Sequence, residues 1–84
     1  MHKIREFRIQ NGLTQLDLAI IVGVSKQSIS AYEVGDKEPP VSTLAKIAIA
    51  LECSVDELID FKKIHDELSE EILEMIQKTK KPSR

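Results

Sequence analysis

Residues 14–32 carry the most informative pattern in the chain, TQLDLAIIVGVSKQSISAY. Thr14 stands where a helix N-cap is expected, with Asp17 three residues later, so a hydroxyl and a carboxylate can satisfy free N–H groups at a helix start. Gly23 is the residue best able to take the left-handed conformation that ends such a helix. Ser25 then offers a second N-cap. The pattern predicts two short helices joined by a tight turn.

The apolar residues of this stretch lie at helical spacing and predict where the two helices meet. The small Ala19 allows a close crossing, and the predicted contact consists of Ala19, Val22, Val24, Ile29 and Tyr32. Together with the glycine turn, this spacing is typical of a helix-turn-helix.

The second helix of the motif also has a face that the core does not require. Its residues are short or polar, and they are Lys26, Gln27, Ser28, Ser30 and Ala31. An α-helix fits the major groove of DNA, where amide, ammonium and hydroxyl groups can read base edges. We therefore predict that this face contacts double-stranded DNA, the alternative being the solvated face of an ordinary helical bundle.

The composition limits the classes of function. Eighty-four residues with 42% hydrophobic and 31% charged residues are typical of one small globular domain. The net charge of −2 argues against binding nucleic acid through bulk positive charge. Residues 1–40 carry five Lys/Arg and five Asp/Glu, whereas residues 41–84 carry seven and nine, so the acidity lies in the second half.

The sequence gives little support for metal binding, catalysis or a membrane span. His2, Cys53 and His65 do not form a metal-binding cluster, and the lone cysteine cannot form an intramolecular disulfide. There is no glycine-rich phosphate loop and no recognisable nucleophile with its base, so we expect no enzyme activity, metal or cofactor. The longest apolar run is too short to cross a membrane and no leader opens the chain, so we expect a cytoplasmic protein.

The remaining sequence predicts four more helices around the motif. An amphipathic helix covers residues 1–11, and Pro39-Pro40 forbids helix in the loop after the motif. Ser42 is expected to cap the fourth helix, and Ser54 with Glu57 predicts a capping box for a short fifth helix. The expected fold is all-α, a five-helix bundle plus an extra amphipathic helix.

That sixth helix has an apolar stripe with no assigned partner. Residues recurring at steps of three and four make up the stripe, namely Phe61, Ile64, Leu68, Ile72, Met75 and Ile76. We predict that it forms a dimer interface or binds a partner protein, the alternative being packing against its own bundle. The predicted division is a DNA-binding domain at 1–60, this helix at 61–78 and a flexible tail at 79–84.

Over residues 4–59 the chain resembles the phage-repressor-like helix-turn-helix family, the Cro and lambda-repressor group. The resemblance rests on single residues and short segments, namely Arg8, 12–15, 18–19, 22–25, 29–30, Glu33, Gly35, Pro39 or Pro40, Leu44, Ile47, Ala48, 50–51 and 54–58. It implies a five-helix lambda-repressor-like bundle that binds operator DNA as a dimer and regulates transcription. We expect a repressor that binds an inverted repeat as a homodimer. The alternative is an antitoxin-like or anti-regulator module that binds a protein, with DNA binding secondary.

The resemblance also implies roles for individual residues. Lys26, Gln27 and Ala31 match base-facing positions, and Thr14 with Gln15 match phosphate contacts. The full expected DNA-binding set is Thr14, Gln15, Ser25, Lys26, Gln27, Ser28, Ser30, Ala31 and Lys37. Arg8 and Glu33 match a structural ion pair. The chain departs from the family in the loop after the motif, which is commonly basic but here keeps only Lys37. It also departs at Leu16, Ile20 and Ile21, whose positions are commonly polar in the family. Leu16 and Ile20 lie four residues apart on one helix face and predict an exposed apolar strip unless something covers it.

Overall fold

The computed structural model describes residues 3–80, and within that range the chain is entirely helical. Its six helices are α1 (Ile4–Gln10), α2 (Gln15–Val22), α3 (Lys26–Val34), α4 (Val41–Ala50), α5 (Val55–Ile59) and α6 (Phe61–Thr79). This confirms the predicted all-α class. Thr79 still belongs to α6, and the rest of the predicted tail beyond Lys80 lies outside the described residues.

The ends of α2 and α3 are set by the local chemistry that the sequence predicts. The Thr14 hydroxyl accepts the Asp17 N–H at 3.0 Å, and the Asp17 carboxylate accepts the Thr14 N–H at 2.9 Å. Gly23 ends α2 with a φ of +83°, and the Ser25 hydroxyl starts α3 by accepting the Ser28 N–H at 3.0 Å. The N-caps, the capping box and the left-handed glycine are therefore confirmed.

The start of α4 differs from the prediction. The helix begins at Val41, so Ser42 is its second residue and cannot act as the N-cap. Pro40 occupies the cap position with an extended ψ of 157°, and its carbonyl accepts the Leu44 N–H at 2.8 Å. Because proline fixes φ at a value that suits helix entry, the first turn forms without any side-chain cap. Val41 is left 85% exposed.

The core lies among α1 to α5. Its buried apolar side chains are Ile4, Leu18, Ala19, Val22, Ile29, Tyr32, Ile47, Ala48, Leu51 and Leu58. The backbone N–H of Lys3 donates to the Leu58 carbonyl at 2.7 Å, so the start of the described chain is tied to α5 and closes the bundle.

The sixth helix contributes no residue to this core. None of its residues is buried, and the described chain measures 57 × 21 × 19 Å. Asp60 separates α6 from α5 by adopting the left-handed conformation, with φ 50° and ψ 55°. The bundle therefore leaves most of the apolar stripe of α6 exposed.

One buried ion pair joins the first and third helices. Arg8 is 9% exposed, and its Nε and Nη2 donate to the two carboxylate oxygens of Glu33, the Nη2 bond being 3.2 Å long. Its Nη1 donates to the Leu13 carbonyl at 2.8 Å, in the turn between α1 and α2. Since the Glu33 side chain is only 2% exposed, the pair depends on its geometry rather than on solvent for stabilisation.

We expect Arg8→Met alone to cost about 3–5 kcal/mol of unfolding free energy, because it leaves the Glu33 carboxylate buried without its counter-charge. Arg8→Met combined with Glu33→Leu should recover much of that loss, because an apolar pair needs no charge compensation. Urea unfolding of the parent, each single variant and the double variant measures this difference. Simply additive losses would contradict it.

Candidate nucleic-acid interface

The outer face of α3 presents the side chains that the sequence singles out. Lys26 and Gln27 are exposed at the start of the helix, and Ser28, Ser30 and Ala31 are half-buried beside them. The opposite side of the helix contributes Ile29 and Tyr32 to the core. The helix is therefore held firmly on one side, while its polar side is open to a ligand.

The start of α2 and the start of α3 together form a shallow concavity of about 200 Å³. It is lined by Gln15, Lys26, Gln27 and Ser30. These four are among the residues predicted from the sequence, and the structure brings them together from two helices. A protruding base edge or phosphate oxygen would find amide, ammonium and hydroxyl groups there.

The Gln15 side chain makes a contact that sequence reasoning missed. Its amide nitrogen donates to Oε1 of Glu33 at 3.0 Å, so Gln15 is joined to the Arg8–Glu33 pair. Eighteen positions separate the two residues, on different helices. No local spacing signals such a contact, and only the packing angle of α2 on α3 creates it.

The two cap hydroxyls of the expected DNA-binding set, those of Thr14 and Ser25, each accept a hydrogen bond at a helix start. Besides accepting the Ser28 N–H, the Ser25 hydroxyl donates to the Ser28 hydroxyl at 3.0 Å. Thr14 accepts in its capping box but keeps its own O–H for another partner. Lys37 is exposed in the loop between α3 and α4 and does not line the concavity.

The carboxylate that supports this site is kept charged. Burial raises the pKa of the Glu33 carboxyl, but hydrogen bonds from Arg8 and Gln15 and the positive charges of Arg8 and Arg5 outweigh it, so the pKa lies below its ordinary value of 4.5. Glu33 therefore remains an acceptor at neutral pH.

Comparison with known proteins assigns the family. The helix-turn-helix family model matches residues 4–58, which is most of the chain. The chain thus belongs to the helix-turn-helix family of DNA-binding transcriptional regulators, and the resemblance to phage-repressor-like regulators is confirmed.

A curated relative matches nearly the whole chain. The chain is 30% identical over 83 residues to the cryptic phage CTXphi transcriptional repressor RstR of Vibrio cholerae, covering 98% of this chain and 75% of the repressor. It spans about half the length of several other curated regulators that it matches.

Two solved structures share the fold. The clp gene regulator ClgR from Corynebacterium glutamicum superposes with a TM-score of 0.65 at 27% identity, over 88% of this chain and 82% of that one. A structure of the SinR protein in complex with the SinI protein gives a TM-score of 0.66 at 30% identity, over 92% and 76%. Both support the lambda-repressor-like architecture.

Two apolar surfaces lie apart from the concavity. On α6 the stripe residues Phe61, Leu68, Ile72, Met75 and Ile76 are each about half exposed, and Ile64 is half-buried. On α2, Leu16 is 53% exposed and Ile20 is 71% exposed. Within residues 3–80, no helix is long and apolar enough to cross a membrane, and no cluster of three or more His, Cys, Asp or Glu could hold a metal ion.

Because the pKa of Glu33 is lowered in the folded chain, the free energy of unfolding should decrease as the pH falls. The contribution of Glu33 is fully present above the ordinary pKa of 4.5 and is lost as the pH falls through the lower pKa of the folded chain. Gln15→Met removes one donor to the carboxylate, so we expect the folded pKa to rise and the acid-dependent loss to become smaller and to finish at higher pH. Thermal melts from pH 6 to pH 3 test this.

Glu33→Gln is the control, because it lacks the titrating group and should show the shallowest dependence. Asp17 and Glu57 also have pKa values lowered by their capping hydrogen bonds, but both are present in every variant and their contribution cancels. Superimposable profiles for the parent and Gln15→Met would refute the assigned role of Gln15.

Proposed function

We propose that this regulator is a repressor that binds an inverted-repeat operator as a homodimer, with α3 in the major groove. The observation that carries the proposal is the concavity of Gln15, Lys26, Gln27 and Ser30 at the exposed start of α3. Recognition helices approach the base edges with their amino-terminal residues, where this concavity lies. The match to a phage transcriptional repressor over nearly the whole chain supports repression as the direction of control.

Gln27 is the proposed reader of sequence. Its amide donates and accepts at once, which matches the N6 donor and N7 acceptor of adenine. Lys26 offers donors alone and therefore suits guanine O6 and N7, or a phosphate. Ser28, Ser30 and Ala31 are short enough to let the backbone of α3 approach the groove.

Phosphate contacts are assigned to residues around the concavity. Thr14 and Gln15 stand at the start of α2, where the Thr14 O–H and the second N–H of the Gln15 amide can donate to a phosphate oxygen. Lys37 is the cation of the loop after α3. Because Asp36 and Glu38 flank it, we expect a modest electrostatic contribution and a shallow salt dependence of binding.

Dimerisation is assigned to α6. Ile72 and Met75 stand eleven residues after Phe61 and Ile64, and an eleven-residue repeat keeps an apolar face nearly straight along a helix. Nineteen residues give a face about 28 Å long. Pairing this face with its copy would cover apolar side chains that the bundle leaves exposed, each contributing roughly 1.5–3 kcal/mol before the costs of association.

A protein-binding function is the second candidate. The SinR structure contains the SinI protein, which shows that a relative of this fold takes a protein partner. The α6 stripe and the exposed Leu16 and Ile20 would provide the surface here. Purification of the native protein discriminates between the candidates, because a stoichiometric second protein is expected only for the protein-binding module.

In vitro selection of duplexes with the purified protein tests the main proposal. Recovery of an inverted repeat would support both sequence reading and two-fold symmetry, because half-sites mirror the symmetry of a dimer. Failure to enrich any sequence would refute it.

Gln27→Ala should weaken binding to the selected duplex by about 1–3 kcal/mol and leave binding to a scrambled duplex unchanged, because it removes a base contact and no charge. Lys26→Ala is the matched comparison, and it should reduce the salt dependence if the ammonium contacts phosphate. Titrations at several salt concentrations measure both. If Gln27→Ala distinguishes the selected from the scrambled duplex as well as the parent does, α3 is not the helix that recognises the base sequence.

Leu68→Glu should convert the dimer to monomer at concentrations where the parent is dimeric, because two carboxylates would enter the centre of one symmetric interface. Glu70→Ala, on the polar face of the same helix, is the control and should leave the dimer intact. Sedimentation equilibrium measures the shift. A Leu68→Glu protein as dimeric as the parent would exclude α6 as the interface.

A further inference from the structure

The Gln15 side chain takes part both in the concavity and in the hydrogen bonds around Glu33. Its side chain lines the concavity at the start of α3, and its amide nitrogen donates to Oε1 of Glu33 at 3.0 Å. Glu33 does not line the concavity, and its side chain is 2% exposed. The carboxylate is therefore shielded from a ligand in the concavity, yet it touches a group that such a ligand would meet.

The chemistry of the two groups fixes the orientation of the Gln15 amide. An ionised carboxylate only accepts hydrogen bonds, so Gln15 must turn an N–H towards it. The reverse orientation would place the Gln15 carbonyl oxygen against a negatively charged oxygen. One N–H and the carbonyl oxygen of Gln15 remain for other partners, in one defined orientation.

Glu33 itself cannot turn away. Arg8 donates to both of its carboxylate oxygens, and Arg8 is held in turn by the Leu13 carbonyl at 2.8 Å. The positive charge of Arg8 also balances the carboxylate, which would otherwise oppose the approach of phosphate. Ordering Gln15 before DNA arrives removes part of the conformational cost that an exposed glutamine side chain bears on binding.

We propose that Glu33 is a positioning residue for DNA recognition, which acts by holding the Gln15 amide in the orientation that DNA meets. The inference rests on the proposed function of the concavity as the DNA site. It assigns the buried ion pair a second role beyond stability, since Arg8 holds the carboxylate that holds Gln15. Gln15 then acts as an oriented contact, unlike the exposed Gln27 beside it.

A double-mutant cycle on DNA affinity separates positioning from a purely structural role. The first change is Arg8→Met with Glu33→Leu, which removes the acceptor for Gln15 without changing the net charge. The second is Gln15→Met, which keeps the side-chain length and removes the amide. The probe is a duplex selected in vitro with the parent protein, at one fixed salt concentration.

With Gln15 intact, the paired change should weaken binding about two- to tenfold, the effect expected of one hydrogen bond. In the Gln15→Met background the same paired change should have less than about a twofold effect. A control cycle with Gln27→Ala should give independent effects, because Gln27 lines the same concavity but has no hydrogen bond to Glu33. Equal losses in both Gln15 backgrounds would overturn the inference while leaving the proposed function in place.

A second measurement on the parent protein needs neither DNA nor a variant. Side-chain amide hydrogen exchange should be slower for Gln15 than for Gln27, because one Gln15 N–H is bonded to the carboxylate. Equal exchange at the two amides would overturn the inference even if the paired variant failed to fold. If no duplex can be selected, the proposed function and the inference fall together.

Discussion

The Arg8–Glu33 ion pair is the interaction on which the geometry of the bundle depends. It connects α1 to α3, and the same guanidinium reaches the Leu13 carbonyl in the turn that leads into α2. One buried guanidinium therefore links three segments of the chain, namely α1, α3 and the turn before α2. Desolvated charges are costly unless every polar atom has a partner, so this arrangement tolerates only a narrow range of helix positions. The angle between α2 and α3, which defines the DNA-binding motif, is thereby restricted.

The sequence predicts features that depend on neighbouring residues. The Thr14–Asp17 capping box, the left-handed Gly23 and the Ser25 cap are short-range chemistry, and each is found where the sequence places it. The error at Ser42 has the same local origin, because Pro40 supplies a helix entry that needs no cap and competes with the serine. The core positions of α3 and α4 follow from helical periodicity. α2 is apolar on every side, and Leu16, Ile20 and Ile21 remain exposed, so periodicity alone does not select its core residues.

The site could be predicted only in part. The polar face of α3 is a property of one helix and can be read from spacing. The hydrogen bond from Gln15 to Glu33 depends on how two helices cross, and an amphipathic pattern does not contain that angle. The orientation of α6 could not be predicted from the sequence either. An apolar stripe predicts that some surface covers it, but it does not identify that surface. The structure shows that the chain's own core does not cover it.

The single left-handed residue between α5 and α6 has a consequence for how such regulators diversify. Asp60 is the joint at which α6 leaves the bundle, and it lies outside both the core and the polar face of α3. If two copies join through α6, the distance between their two α3 helices depends on the backbone angle at Asp60. A substitution there can alter the spacing of recognised half-sites while base preference stays fixed. The spacing of half-sites and the preference for particular bases can therefore evolve independently within one small chain.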